Sequence, residues 1–364
     1  MSLAKEKSYE VLKPTVLYVC HSITSFTKID TLILGNKFKI IIFEFHIKGA
    51  LSIPLLWIKQ KIFLWKNIKN SSMVFCMFAG YHTLIPVIFA RMFNKPCIIV
   101  AGGIDAVSFP SVNYGNFNKF LLSKFTAWSF RWCSHIAPIS DYLVNSEYNY
   151  QDDDFKRQGF LFHVKNLKTP YTVVYNGFET KHWFSENEVR LKNSFLTIAA
   201  NLESESRRKI KGIDMVLEAA KLFPEHNFTI IGSKSEHSNF EIPTNVKIIP
   251  FVPHHELRAI YCKHDYYLQL SMSEGFGNTL AEAMLCGCIP IGSNAGAIPY
   301  IIGKNGFILK RKDSNELKSV FLQAMNSNQK EVLRELARQS ILERFSIEKR
   351  GEALYKIINT LVKS

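Results

Sequence analysis

Two glutamates eight residues apart are the side chains of this sequence whose types and spacing most directly suggest chemistry. Glu274 follows an apolar run that ends at Ser271, and Glu282 lies one turn inside the helix predicted next. The segment after Glu274, Gly275-Phe276-Gly277, allows a ligand to approach the backbone closely. The two carboxylates could contact different hydroxyl-bearing parts of one elongated ligand. Taken singly, such glutamates are more often a helix cap and a solvated helix side chain, so the inference depends on the pair.

The helix predicted after Gly277 is a second feature with a chemical meaning. The first amides of a helix have no partner within it, and the helix dipole favours an anion there. The sequence therefore predicts a phosphate-binding helix start, with free amides on Asn278, Thr279 and Leu280.

The elements that must position these residues are short apolar runs alternating with helical stretches, and the pattern occurs twice. In the first half the predicted strands are 15–20, 38–43, 73–78, 97–101, 135–138 and 172–175, and the helices lie near 26–35, 53–67, 82–93, 115–132 and 141–147. In the second half the strands are 195–200, 227–232, 246–252, 266–271, 289–292 and 306–309, and the helices lie near 213–223, 255–264, 278–286 and 315–326. Continuous apolar strands joined by helices indicate parallel sheets covered on both faces.

This rhythm predicts an α/β protein with two Rossmann-like domains facing each other across a cleft. A turn dipeptide, Asn176-Gly177, follows the last strand of the first half, so we expect domains at 1–177 and 178–345. Residues 328–364 predict two helical stretches, with Ser346 as the cap of the second. Ligands of open α/β sheets bind beyond the carboxyl ends of the strands, so the cleft is the expected site.

The stretch from Glu274 to Glu282 resembles the Glu-x7-Glu motif of the retaining family-4 glycosyltransferases (glycosyl transferases group 1), which have the GT-B fold. Other segments are similar to the family's pattern: 174–177, 211–214, 288–292, 303–306 and the helix after Phe345. The resemblance is closer in the second half than in the first. It implies that residues 346–364 form a helix that crosses back to the N-terminal domain.

The resemblance also implies a function, the transfer of a sugar from a nucleotide-diphosphate sugar, UDP- or GDP-linked. Glu274 would bind hydroxyls of the transferred sugar, and Glu282 would bind the ribose. Lys211 would bind the diphosphate, because a preorganised cation stabilises the negative charge that the diphosphate gains as it leaves. No metal or other cofactor is then expected. From the family's layout the base would lie near Phe251 and Val252. The acceptor would be a glycan or a polyprenyl-diphosphate-linked glycan of capsule or other cell-surface polysaccharide synthesis.

The sequence departs from the family's pattern at the cation beside the diphosphate. Asn201 stands where the family usually has an arginine. Three nearby residues are candidates to supply the charge, although they could also form a basic surface loop: Arg207, Arg208 and Lys209.

The first half supplies the expected acceptor side of the cleft. Gly102 stands where many family members have a histidine, and Asp105 is a candidate catalytic contact to the acceptor hydroxyl or a structural turn residue. The segment from Ser25 to Asp30 resembles a Ser-Phe-x-Lys/Arg-x-Asp variant of capsule and cell-wall glycosyltransferases. The predicted acceptor-side residues are Ser25, Lys28, Tyr81, His82, Gly102, Gly103 and Tyr114, of which His82 could instead be an ordinary helix-start residue.

The 364 residues carry a formal charge of +14 that is unevenly divided, +9 in residues 1–180 and +5 in residues 181–364. A basic balance predicts an anionic partner. A donor diphosphate accounts for part of the +5 in residues 181–364. For the +9 in residues 1–180 we expect a different anionic partner, a membrane-borne diphosphate-linked acceptor or an anionic leaflet. The segment 53–69 mixes Trp, Phe and Lys, and its pattern fits a membrane-surface helix and a core helix about equally well.

Other functional classes are less consistent with the sequence. No helix-turn-helix, zinc-finger or RNP-like signature supports nucleic-acid binding. The seven cysteines predict reduced core thiols and no metal site, and the N-terminal residues lack a secretory signal. We therefore expect a cytoplasmic protein, at most peripheral on the inner membrane. A nucleotide-sugar epimerase, a phosphorylase and a non-catalytic relative remain alternatives within the same fold.

Overall fold

The computed structural model describes residues 13–49, 51–185, 188–233 and 240–363, so the polar segment 1–12 lies outside the described residues. It contains two parallel sheets. The first contains β1 (Thr15–Cys20), β2 (Lys39–Glu44), β3 (Met73–Met77), β4 (Cys97–Ala101) and β5 (His135–Pro138), in the order β2-β1-β3-β4-β5. β3 and β4 are buried along their whole length because both of their faces carry apolar side chains.

The second half of the described chain contains the other sheet. After a short antiparallel pair, β6 (Ser146–Glu147) with β7 (Arg157–Gln158), its strands are β8 (Leu191–Ile198), β9 (Asn227–Ser233), β10 (Val246–Pro250), β11 (His264–Gln269), β12 (Ile289–Ser293) and β13 (Phe307–Leu309). They form a parallel sheet in the order β10-β9-β8-β11-β12-β13. The two Rossmann-like sheets confirm the predicted fold class.

Helices connect these strands and cover the sheets. In the first half they are α1 (Ser25–Gly35), α2 (Ser52–Asn67), α3 (Leu84–Met92), α4 (Phe120–Trp132) and α5 (Phe160–His163). In the second half they are α6 (Glu205–Ile210), α7 (Ile213–Leu222), α8 (Leu257–Lys263), α9 (Asn278–Leu285), α10 (Ile298–Ile302), α11 (Ser314–Met325), α12 (Lys330–Arg344) and α13 (Ile347–Lys363). In the first sheet the chain moves in one direction across the sheet as it passes from β2 to β3, β4 and β5. Because the crossovers are right-handed, the helices that make these connections, α2, α3 and α4, lie on the same face of the sheet.

Three predicted elements differ from the structure. The segment 172–175 runs beside β5 but forms no strand ladder, because Pro138 has no N–H to donate to it. The helix predicted from 115 begins at Phe120, and a 3-10 turn replaces the one predicted at 141–147. α6 and α10 are too short for periodicity to reveal them.

The last helix returns to the first domain, as predicted. α13 packs against α1, and Tyr355 Oη donates to the carbonyl of Ile33. The Arg350 guanidinium, in α13, bonds both carboxylate oxygens of Asp30, in α1, at 2.6 and 2.9 Å, and both side chains are fully buried. A buried ion pair therefore joins the C-terminal helix to the first domain.

Candidate active site

A cavity of about 320 Å³ lies between the two sheets, and we call it the Lys211 cavity. The first domain contributes residues at the carboxyl ends of its strands, and the second contributes Lys211 and the loop that leads into α9. Its lining residues are Met77, Phe78, Gly102, Ile139, Asn176, Ile198, Ala199, Ala200, Lys211, Glu274, Phe276, Gly277, Asn278 and Thr279. The predicted cleft site therefore exists, and it is built from both domains.

An ion pair between Lys211 and Glu274 lies in this cavity. The Lys211 Nζ donates to Glu274 Oε2 at 2.7 Å, and Gln269 Nε2 lies 3.4 Å from the same oxygen. Burial acts to lower the pKa of Lys211, but the Glu274 carboxylate outweighs it and holds that pKa above its ordinary value. Lys211 therefore remains a cation in the cleft.

The backbone turn at Gly212 sets the position of Lys211. Lys211 caps the end of α6, and Gly212 has a φ of +68° before α7 begins. A Cβ on Gly212 would lie 1.8 Å from the carbonyl oxygen of Leu270, so only glycine fits this turn. The turn directs the lysine into the cleft, next to the end of β11.

The start of α9 presents free amides to the same cavity. Gly277, at a φ of +97°, precedes Asn278, and no side chain caps the helix. The Asn278 side chain is instead bonded to Asn176 at 2.9 Å. The amides of Asn278, Thr279 and Leu280 are thus available to an anion held by Lys211.

A second cavity, of about 430 Å³, adjoins the first, and we call it the Glu282 cavity. It shares Asn176 and Asn278 with the Lys211 cavity. The buried Glu282 carboxylate accepts hydrogen bonds from His254 Nε2 at 2.8 Å and from Tyr261 Oη at 3.2 Å. The hydrogen bond to Glu282 raises the pKa of His254, although burial opposes it. Together the two cavities form one elongated site with a predicted glutamate in each part.

The first domain approaches the Glu274 loop through two glycines. The carbonyl of Gly102 and the Cα of Gly103 lie against Gly275, where a Cβ would be 2.4 and 3.1 Å away from them. The Phe78 ring fills the space beside Gly102, since a Cβ there would lie 1.7 Å from it. A histidine at position 102 would not fit against this ring.

Asp105 is buried beneath these glycines. Its carboxylate accepts backbone hydrogen bonds from Ala79, Gly102 and Gly103 at 2.8 to 3.0 Å. Burial raises its pKa to about 6, despite these bonds. Both oxygens face backbone amides, so the structure gives Asp105 the predicted turn role of shaping the loop and does not place it against an acceptor hydroxyl.

The other predicted acceptor-side residues fall into three places. Ser25 and Lys28 line the Glu282 cavity, and the Tyr114 ring lies beside Arg207, with Lys211 and Glu274 within electrostatic reach of its hydroxyl. Tyr81 and His82 line neither cavity. Tyr81 packs on Phe125, and the buried His82 bonds the carbonyl of Met77 at 2.8 Å. Burial lowers the pKa of His82 to about 4, and the residue lies two positions before α3 begins, so its surroundings favour the alternative of an ordinary helix-start residue.

Of the three candidate cations only Arg207 lies near the ion pair. Its guanidinium is 5.8 Å from the centre of the Tyr114 ring. Arg208 bonds the carbonyl of Leu202, and Lys209 pairs with Glu205 on the exposed side of α6. Lys209 therefore lies on the surface, as the basic-loop alternative has it, and by its position Arg207 remains a candidate for the charge of the missing arginine.

Two predicted donor-side residues lie outside the two cavities, and several residues that were not predicted line them. Phe251 is exposed after β10, and neither it nor Val252 lines the two cavities. Sequence reasoning missed Phe78, Ile139, Asn176, Trp183 and His254. The rule that strand ends line the cleft could have found Phe78 and Ile139, but Trp183 and His254 reach the site only through tertiary packing.

Gly275→Ala tests the close contact between the domains. The added methyl would meet the Gly102 carbonyl, so the Glu274 loop must move, and we expect any turnover at this site to fall by up to about a hundredfold. Gly35→Ala is the matched control, because nothing lies within 4 Å of its Cβ. Initial rates of both variants with saturating substrates would measure the effect, and equal rates would contradict the contact.

With this geometry in place, the chain can be compared with known proteins. Residues 187–340 match the family model of the glycosyl transferases group 1. The second domain is therefore similar to this family. An uncharacterized glycosyltransferase of Methanocaldococcus jannaschii is 27% identical over 173 residues, 45% of this chain and 46% of that protein. The chain spans about half the length or less of the curated relatives it matches.

Solved structures show the fold of the whole chain. Sucrose-phosphate synthase from Thermosynechococcus elongatus superposes with a TM-score of 0.74 at 10% identity, covering 96% of this chain and 99% of that one. Anabaena HepE in complex with UDP-glucose gives a TM-score of 0.67 at 14% identity, covering 95% and 99%. The chain therefore has the predicted GT-B fold, and Lys211, Glu274 and Glu282 all lie within the residues that match the group 1 model.

Proposed function

We propose that this protein is a retaining glycosyltransferase that moves a sugar from a nucleotide-diphosphate sugar to a glycan or lipid-linked glycan. The observation that carries the proposal is the Lys211–Glu274 ion pair facing the uncapped start of α9, within the residues that match the group 1 model. The complex of Anabaena HepE with UDP-glucose, a protein of the same fold, supports a nucleotide-sugar donor.

The donor occupies the elongated site from end to end. Its diphosphate lies between Lys211 and the amides at the start of α9, because both favour an anion. Its ribose hydroxyls bond to Glu282, replacing His254 or Tyr261 as partners of that carboxylate. Glu274 then faces the hydroxyls of the sugar. UDP- and GDP-sugars are the donors that the proposal favours.

The transfer step breaks the bond between the anomeric carbon and the diphosphate oxygen. The departing diphosphate gains negative charge, and the fixed charge of Lys211 and the helix amides stabilise it as it forms. The acceptor hydroxyl attacks from the same face, its oxygen bonds to the anomeric carbon, and its proton passes to the diphosphate. No enzyme carboxylate forms a bond to the sugar, since Glu274 is held by Lys211.

The acceptor approaches from the first domain. Tyr114 of the first domain lies near the Lys211–Glu274 pair, at the end of the site where the proposal puts the transferred sugar. Ser25 and Lys28 of α1 line the Glu282 cavity, beside the proposed position of the ribose. The positive charge of the first half of the chain suits a glycan or a diphosphate-linked glycan of cell-surface polysaccharide synthesis. Asp105 acts on this side indirectly, by holding the Gly102–Gly103 loop.

A thermal-shift panel of UDP-, GDP-, dTDP- and CMP-sugars tests the donor. We expect one base to raise the melting temperature, because a ligand at a hundred times its dissociation constant stabilises the folded state by about 2.7 kcal/mol. Lys211→Ala is expected to remove the shift. A shift with duplex DNA and with none of the nucleotide sugars would contradict the proposal.

A further inference from the structure

A long stretch of the first domain, from residue 45 to residue 140, is strongly basic. Between residues 45 and 140 the sequence contains ten lysines and arginines, and its one acidic residue is Asp105. Asp105 is fully buried, so no carboxylate from this stretch reaches the surface. α2, α3 and α4 all lie within it, on the same face of the sheet.

The outward side of α2 is apolar where a solvated helix would be polar. Leu55, Ile58, Ile62 and Trp65 are exposed at spacings of three and four, the pattern that helices use to bury a face. The other side of α2 includes a buried polar residue, Gln60. Its burial is tolerated because its Nε2 donates a hydrogen bond to the carbonyl of His82 at 2.8 Å. The helix therefore leaves a largely exposed apolar stripe, in which Trp65 also contacts the ring of Phe93.

α4 continues this surface. Phe120, Leu121, Trp128 and Trp132 are exposed along it. The two helices are joined by aromatic contacts, since Trp57 of α2 stacks on Phe125 of α4 with ring centres 5.4 Å apart. This contact brings α2 and α4 together at one point, and we call their exposed stripes together the aromatic-basic face.

The two most exposed apolar residues on this face lie at the edge beside the cleft. Leu51, 96% exposed, precedes α2, and Phe120, 82% exposed, begins α4. In parallel α/β units the N-terminus of each helix follows the carboxyl end of a strand, which is the edge where the cleft opens. An object that binds Leu51 and Phe120 would therefore sit beside the mouth of the cleft.

We propose that the aromatic-basic face docks on the surface of an anionic phospholipid bilayer. Trp and Phe side chains enter the headgroup region while lysines remain at the charged surface, and α2, α3 and α4 contain no acidic residue that would repel an anionic leaflet. A second copy of this chain is a poor occupant, because two faces of the same positive charge repel each other. Among the described residues no helix is long and apolar enough to cross a bilayer. This docking does not depend on the proposed transfer reaction.

Co-sedimentation of the full chain with phosphatidylglycerol and phosphatidylcholine vesicles tests the proposal against vesicles of phosphatidylcholine alone. We expect binding to the anionic vesicles and a blue shift of the emission from the exposed Trp residues, three of the five in the chain. The apolar variant Leu51→Ser with Phe120→Ser is expected to lower the partition coefficient by about tenfold, with little effect on folding since both side chains are exposed.

A charge series separates lipid binding from other anionic partners. We expect at least a tenfold loss from the triple variant Lys59→Glu, Lys66→Glu and Lys124→Glu, because each lysine near an anionic leaflet contributes separately. The matched control has the same change in charge on exposed lysines of the second domain, and we expect it to stay within about twofold of the original protein: Lys221→Glu, Lys304→Glu and Lys318→Glu.

Three results would overturn the proposal. The first is that the protein does not bind anionic vesicles, and the second is that the two charge variants lose vesicle binding equally. The third is that the first-domain charge variant loses binding while the apolar variant binds as well as the original protein and the Trp emission does not shift. The last result would favour a nucleic acid, which titration with labelled duplex RNA would identify. Retained donor binding in a variant that has lost vesicle binding would show that the site itself is intact.

Discussion

Glu274→Gln is expected to lower kcat for sugar transfer by about 10²–10³-fold while the affinity for the free nucleotide changes little. The amide keeps the shape of the carboxylate but removes the charge that Lys211 now bonds at 2.7 Å. It also weakens the proposed contact between residue 274 and the hydroxyls of the sugar, which is the reacting end of the donor. Turnover and calorimetric binding of the nucleotide would be measured on the same preparation.

Glu282→Gln is the matched variant, because it makes the same chemical change in the other half of the site. We expect it to raise the dissociation constant of the nucleotide, since the proposal places the ribose hydroxyls on Glu282, and to have a smaller effect on kcat. If neither variant changed turnover, the assignment of the site would be wrong. A glycosyl adduct trapped on Glu274 would disprove only the absence of an enzyme nucleophile.

Arg350→Leu is expected to lower the free energy of unfolding by about 3–5 kcal/mol, because it leaves the carboxylate of Asp30 buried without a partner. The same change removes the donors to the carbonyls of Val174 and Tyr175, each bonded at 3.0 Å. Urea denaturation followed by circular dichroism would measure the loss. The double variant Asp30→Leu with Arg350→Leu should recover part of it, since no buried charge then remains.

The exposed ion pair of Lys156 with Asp152 provides the control. Both of its side chains face solvent, so Lys156→Leu is expected to cost less than about 1 kcal/mol. A loss of similar size in Arg350→Leu and Lys156→Leu would show that the buried pair does not hold α13 to the first domain. The experiment thus tests directly whether the Asp30–Arg350 ion pair holds α13 to α1.

The elements that were predicted well are those with strong local patterns. β1, β4 and β5 occur at the predicted residues because each is a short, nearly continuous apolar run. The start of α9 at Asn278 follows from Gly277, whose positive φ a helix-starting turn uses. The segment 172–175 has the same local pattern as a strand and fails to become one because of its neighbour, Pro138, in β5.

The candidate site divides in the same way. The motif with Glu274 and Glu282 could be predicted because its residues are close in sequence. The structure shows that Glu282 meets His254 and that Glu274 meets Lys211, 63 residues away. Asp105 and His82 have polar side chains that suggest chemistry, yet burial gives them structural roles. Burial depends on what packs above a residue, so composition could not reveal it.

The sequence by itself determined the two α/β domains, the helix that starts directly after Gly277 and the excess of positive charge in the first half. These depend on periodicity, on glycine placement and on residue counts, which are local properties of the chain. Only the tertiary structure decided which cation faces the cleft, which predicted residues are buried and which side of α2 remains open. Those outcomes require contacts between residues far apart in sequence, and such contacts exist only after the sheets and helices have packed.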